Sequence, residues 1–236
     1  MIMIGEVPDS KEVDLSAVKY VISDWDGTLV DSLSAYLECF LKVMEDVGGD
    51  SGKLRNYYLS SQGRALSQQI KDAAKSFAGK DIEDTKDYEA KFFDFYVQMG
   101  EIEVLGGASD TLKYLKEKGF NVVVWSGART DILGKKLEQT GLGRFVDFYI
   151  GNVPGDDKLV KGPGLFGEIA KHFGLDTEQL RQESIVVGDG IGDIEAGKKS
   201  GAKTVGLGVN GDKLKEAGAD FVIKDISELV VLLRKS

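Results

Sequence analysis

Three short runs of β-branched and aromatic residues in this chain stop abruptly at small, hydroxylated or acidic residues. VKYVI (18–22) stops at Ser23 and Asp24, NVVVW (121–125) at Ser126 and Gly127, and SIVV (184–187) at the run GDGIGD (188–193). Apolar runs this short and this continuous read as strands buried on both faces, the signature of a parallel sheet. Helical spacing separates them over 111–118, 131–139, 165–173 and 193–199, and further strands are expected over 145–150, 204–207 and 221–223, with a last helix over 227–233. Parallel strands need crossover connections, so the alternation predicts a doubly wound, Rossmann-like α/β sheet. In such a sheet ligands bind in the crevice beyond the C-terminal strand ends, where these polar residues collect.

Residues 33–99 break the pattern. They carry apolar stripes at helical spacing and no β-branched run: Leu33, Leu37, Phe40, Leu41 and Met44, ending at Gly48-Gly49; Leu66, Ile70, Ala73, Ala74 and Phe77, ending at Gly79; and Tyr88, Phe92, Phe95, Tyr96 and Met99, ending at Gly100. The economical reading is a helical insertion after the first strand. The expected organisation is an α/β core domain over 1–32 and 101–236 and an α-helical cap domain over 33–100, with hinges at 30–33 and 100–107.

Composition removes several functions. A formal net charge of −9 and a pI near 4.8 argue against nucleic acid or an anionic membrane as partner. The single histidine, His172, rules out Ser-His-Asp and multi-histidine chemistry and reads as a surface residue near a helix end; the single cysteine, Cys39, reads as a buried structural thiol. The N-terminus turns acidic after four residues, and no eighteen-residue apolar run occurs, so a cytoplasmic protein without a membrane span is expected.

The acids carry the chemistry. Asp24, Asp26, Asp189 and Asp193 fall at the ends of two predicted strands and would share one pocket. Two bare carboxylates ~4 Å apart repel by ~4 kcal/mol at an effective dielectric of about 20, so four of them need a cation or protons. With oxygen ligands alone, Mg²⁺ is the expected metal. Lys161, in KGPG before the 165–173 helix, adds a mobile positive charge. An acidic nucleophile, a hard cation, a lysine, a serine and turn amides together suit phosphoryl transfer.

These motifs resemble the haloacid dehalogenase-like superfamily, specifically the phosphatases with a helical cap inserted after the first motif. DWDGTLVDS (24–32) is similar to the family's DxDGTLxDS, Ser126 to its second motif, Lys161 in KGPGLF to its third and GDGIGDIEAGKKSGA (188–202) to its fourth, in that order. Trp25 and Gly127 stand where the family commonly has a smaller apolar residue and an Asn. The resemblance implies that Asp24 attacks phosphorus and becomes an aspartyl-phosphate, and that Asp26 protonates the leaving alcohol and then activates water. Ser126 and Lys161 would hold the phosphoryl oxygens, assisted by the turn amides near Trp25 and Gly27, with Gly127 also among the substrate-binding residues. Asp24 and Asp189 would ligate Mg²⁺ through carboxylates and Asp26 through its backbone carbonyl, while Asp193 would order a metal-bound water or orient Lys161. Ser60-Ser61-Gln62-Gly63-Arg64 resembles the cap's specificity loop, from which Arg64 would reach a carboxylate or second phosphate on the substrate, the alternative being a solvated arginine at a helix start; Arg129 has the same two readings. The implied substrate is a small phosphorylated metabolite, phosphoglycolate-like or a sugar phosphate. A phosphosugar mutase and a non-catalytic phospho-ligand binding module are the alternatives.

Overall fold

The computed structural model describes residues 13–61, 64–100, 102–153 and 158–234. Strand β1 (Tyr20–Asp24) is buried along its whole length. Its alternation sends Val21 into one apolar cluster and Tyr20 and Ile22 into another, so helices must cover both faces. A two-residue strand β2 (Val30–Asp31) then leads into α1 (Leu33–Glu45), α2 (Ser51–Ser60), α3 (Leu66–Ala73), a π-helical turn (Ala74–Ala78) and α4 (Lys86–Gln98). The chain returns through β3 (Glu103–Val104), which pairs antiparallel with β2. Tilted ring pairs fill the helical segment: Tyr36 lies 4.5 Å from Tyr96 and 5.5 Å from Phe92, and Phe40 lies 4.7 Å from Tyr58.

The remainder alternates as expected: α5 (Ala108–Glu117), β4 (Asn121–Arg129), α6 (Thr130–Gln139), a 3-10 turn (Leu142–Phe145), β5 (Phe148–Asn152), α7 (Pro163–His172), α8 (Thr177–Glu183), β6 (Ser184–Gly188), α9 (Ile191–Ser200), β7 (Lys203–Leu207), α10 (Gly211–Glu216), β8 (Phe221–Ile223) and α11 (Glu228–Arg234). Among the described residues, six strands form one parallel sheet in the order β5-β4-β1-β6-β7-β8. β1 lies at the point where the order reverses, between β4 and β6, so the crevice opens over its end. Helix α6 also secures the returning end of α4. The fully buried Lys136 donates from Nζ to the Gly100 carbonyl at 2.9 Å and sits 4.5 Å over the Tyr96 ring, while Gln139 donates to the Val97 carbonyl at 3.1 Å.

The differences from expectation have local causes. Helix α2 buries only Leu54 and Tyr58, a single i,i+4 pair that makes no stripe, and its start is set by Asp50 accepting from the Lys53 amide. Helix α8 buries only Leu180 and is capped by Asp176 in the same way. Short α10 likewise buries only Leu214. The strand expected over 145–150 starts later, after the 3-10 turn, and β1 runs on to Asp24, placing that acid in the strand itself. Residues 66–78 are one stripe in sequence but pass from α to π geometry at Ala74. Cys39 is buried, and burial pushes its thiol up to about 12, as a structural role requires. His172 is exposed and stacks on Phe148 at 3.9 Å.

Helix α9 lies unusually close to the sheet because Gly197 has no side chain: a Cβ there would meet Thr204 Cγ2 at 2.6 Å and Val186 Cβ at 3.1 Å. Gly197→Ala should therefore push α9, with Asp193 in its first turn, away from β6 and β7. A loss of about 1–3 kcal/mol in denaturant unfolding is expected, and an unchanged midpoint would contradict the close approach.

Candidate active site

The sequence from Asp24 to Val30 makes one tight turn. The Trp25 carbonyl accepts from the amides of Leu29 and Val30, and Gly27, at φ +76, adopts the left-handed backbone that lets the chain reverse. A Cβ on Gly27 would lie 2.4 Å from Asp189 Oδ2, so the turn and the end of β6 meet backbone to carboxylate. Thr28 bridges them, donating to Asp189 Oδ1 at 3.1 Å and to Asp24 Oδ2 at 3.4 Å as alternative acceptors. Strand register puts Asp24 beside Trp125, so the next residue of β4, Ser126, arrives at the same level. Ser126 Oγ donates to Asp26 Oδ2 at 3.1 Å and accepts from the Ala128 amide at 2.9 Å.

Lys161 comes from the other side. Its amide donates to Asn152 Oδ1 at 2.9 Å, and its Nζ binds both Asp24 Oδ1 and Asp193 Oδ1, 5.5 Å from the Trp125 ring. Asp193 in turn accepts from the Gly190 amide at 2.9 Å, fixing it in the first turn of α9. Oxygens of Asp24, Asp189 and Asp193 all lie within 4.8 Å of one another, whereas Asp26 turns its carboxylate toward Ser126.

The electrostatics follow from burial and crowding. Asp24 is pushed well up from its ordinary value by burial and by the Asp193 carboxylate, with Lys161 opposing. Asp26 is raised by burial, opposed by nearby hydroxyls of Ser32 and Tyr36. Asp189 is raised to about 6 by burial and by Asp193. Burial disfavours the Lys161 ammonium, but Asp24 and Asp193 outweigh that and hold its pKa above the ordinary lysine value. One ammonium thus faces three carboxylates whose ionised forms disfavour one another. An oxygen-only donor set with that deficit of positive charge fits a hard divalent cation.

Six residues singled out from sequence, Asp24, Asp26, Ser126, Lys161, Asp189 and Asp193, meet here around the Gly27 turn, with exposed Gly127 following Ser126 on β4. Arg64 is instead paired with Asp72 on α3 at 2.6 Å, and Arg129 is held by both oxygens of Asp131. Gln62 and Gly63 lie outside the described residues. Thr28 and Asn152 were not anticipated; the signal available for Asn152 was its place at a strand's C-terminal end, like the other polar residues of the site.

The fold and this cluster define a hydrolase. A family model of haloacid dehalogenase-like hydrolases matches residues 21–207, and the chain belongs to that family. The phosphoglycolate phosphatase of Vibrio parahaemolyticus is 26% identical over 235 residues, covering 93% of this chain and 97% of that protein. The crystal structure of a predicted phosphoglycolate phosphatase from Haemophilus somnus superposes with a TM-score of 0.76 at 21% identity, covering 93% of this chain and 99% of the other. A HAD-family hydrolase from Deinococcus radiodurans, crystallised with bound phosphate and sodium, superposes at 0.69 and 21% identity, covering 93% and 96%. At these identities the structural matches establish the fold.

The raised Asp189 pKa has a definite sign. The folded chain holds this proton more tightly than the unfolded chain, whose carboxyl has the usual 3.8, so the group's contribution to stability falls as pH rises from about 4 to about 6. In EDTA near pH 7, Asp189→Asn should melt above the wild type by the equivalent of about 3 kcal/mol, with the gap closing toward about pH 4. A gap independent of pH would contradict the crowding.

Proposed function

We propose that this chain is a Mg²⁺-dependent phosphatase that hydrolyses a small phosphate monoester through an aspartyl-phosphate on Asp24. The observation that carries the reading is the division of labour between two acids two residues apart. Asp24 is grouped with Lys161, Asp189 and Asp193, whereas Asp26 faces Ser126. Bound Mg²⁺ would be held by Asp24 and Asp189, with the Asp26 carbonyl and Asp193 nearby, and would neutralise phosphoryl charge and keep Asp24 ionised.

The remaining steps belong to the chain's own side chains. Lys161, Ser126 and the amides around Gly27 and Gly127 hold the phosphoryl oxygens. An Asp24 carboxylate oxygen bonds to phosphorus as the ester P–O bond breaks, and the leaving oxygen takes the proton of the Asp26 carboxyl to depart as an alcohol. Asp26, now a carboxylate, takes a proton from water as that water's oxygen bonds to phosphorus. The P–O bond to Asp24 then breaks, releasing inorganic phosphate and restoring both acids. The raised pKa of Asp26 suits the acid step. Residues 33–100 act in this reading as a cap hinged at the β2–β3 pair, and a phosphoglycolate-like substrate accords with the name of the Vibrio relative, a sugar phosphate being the second substrate class. A second acidic group on that substrate would have to win Arg64 from Asp72.

Purified protein should hydrolyse p-nitrophenyl phosphate with Mg²⁺ and lose the activity in EDTA. Asp24→Asn should lower kcat by roughly 10³-fold or more with an unchanged far-UV spectrum. Full activity in that variant sinks the assignment. Trapping phosphorylated Asp24 and offering it water alone or a sugar hydroxyl separates hydrolysis from mutase chemistry.

A further inference from the structure

Trp25, in the middle of the acidic motif, points away from the crevice and into the helical segment, where it is 1% exposed in the same apolar cluster as Tyr96. Three polar atoms in this neighbourhood are fully buried and have no partner in full hydrogen-bond geometry among the described residues: Trp25 Nε1, Tyr96 Oη and Asp26 Oδ1. An orphaned buried polar atom costs about 1–3 kcal/mol, so three together at a reaction centre ask for a reason. They are not scattered. The Tyr36 hydroxyl faces the Asp26 carboxylate on one side and the Tyr96 hydroxyl on the other, the Tyr96 hydroxyl faces the Trp25 indole, and the two tyrosine rings lie 4.5 Å apart. Tyr36 stands on α1 and Tyr96 on α4, the first and last helices of the inserted segment.

We propose that Tyr36 and Tyr96 are positioning residues for Asp26, completing a relay in which Trp25 Nε1–H donates to Tyr96 Oη, Tyr96 O–H to Tyr36 Oη, and Tyr36 O–H to Asp26 Oδ1. The inventory closes: each orphaned atom gains one partner, and each hydroxyl donates once and accepts once. This rests on the reading of Asp26 as the acid and base. Ser126 also belongs to the proposed phosphoryl-oxygen site, so its hydroxyl is drawn from Asp26 when substrate binds; Tyr36, with the neighbouring Ser32 hydroxyl, stays. With Oδ1 held by Tyr36, Oδ2 is the atom that gives the proton to the leaving oxygen and later takes one from water. The relay forms only when α1 and α4 sit against the motif, so it ties the acid to the closed position of the cap.

The test compares leaving groups. An alkyl phosphate needs the proton from Asp26, whereas p-nitrophenolate departs without one. Tyr36→Phe and Tyr96→Phe keep both rings and the packing. In each, the ratio of kcat/KM for 2-phosphoglycolate or glycerol phosphate to kcat/KM for p-nitrophenyl phosphate should fall roughly tenfold or more, with KM for the alkyl ester little changed, because kcat/KM ends at phosphoryl transfer to Asp24 and leaves out the water step that both esters share. The double variant should lose no more than Tyr36→Phe alone, because the relay is already broken at its last link. Equal losses on both esters, or no loss, would mark the tyrosines as packing residues and overturn the inference while leaving the phosphatase reading intact. A wild-type protein that turns over neither ester would overturn that reading and this inference with it.

Discussion

A deficit of positive charge governs this protein. Asp24, Asp189 and Asp193 are held within reach of one another against a single ammonium, that of Lys161. Left to itself such a group would splay apart or take up protons. Here the backbone prevents the first. Asp24 ends a fully buried strand, Asp193 is pinned by the Gly190 amide in the first turn of α9, Asp189 abuts the Gly27 turn and receives Thr28, and Lys161 is tethered through its amide to Asn152. The raised values of Asp24 and Asp189 record the second tendency. The scaffold thus spends stability to keep negative charge concentrated where a hard cation and a phosphoryl group would relieve it.

The sheet and the helical segment divide the work through one short peptide. Because successive residues of an extended chain point in opposite directions, the acids of Asp24-Trp25-Asp26 face the crevice while the indole between them enters the helical core. The motif is therefore a joint as well as the proposed reaction centre. Lys136 and Gln139 of α6 make a second joint by capping the carbonyls at the end of α4, so the inserted helices bear on the α/β sheet at two places.

Much of this could be read from residue order because the chemistry sits at strand ends. A run such as SIVV followed by GDGIGD announces both the strand and what it carries, and the order of the motifs then leads to the family. What escaped had weaker local signals. Helix α2 offers only Leu54 and Tyr58 to the core, and α8 only Leu180, so neither shows a period; their caps, Asp50 and Asp176, look like ordinary loop residues in sequence. Tyr36 and Tyr96 fail for the opposite reason. Tyr96 sits in an apolar stripe and Tyr36 beside one, among Leu33, Leu37 and Phe40, so spacing gives no cause to ask where their hydroxyls go. Arg64 illustrates a third limit, since a motif-like loop says nothing of Asp72 waiting one helix later.

The two-residue pairing of β2 with β3 has a consequence for how the chain folds. β1 must find β4 across roughly a hundred residues, as the partnership of Tyr20 with Asn121 shows, and loop closure over that length is slow and entropically unfavourable. Zipping Val30–Asp31 onto Glu103–Val104 short-circuits the intervening helices and leaves only about a quarter of that chain length to close, lowering the closure cost by roughly 1 kcal/mol. With its two ends paired at β2 and β3, an insertion of this size adds little length to the sheet's first crossover.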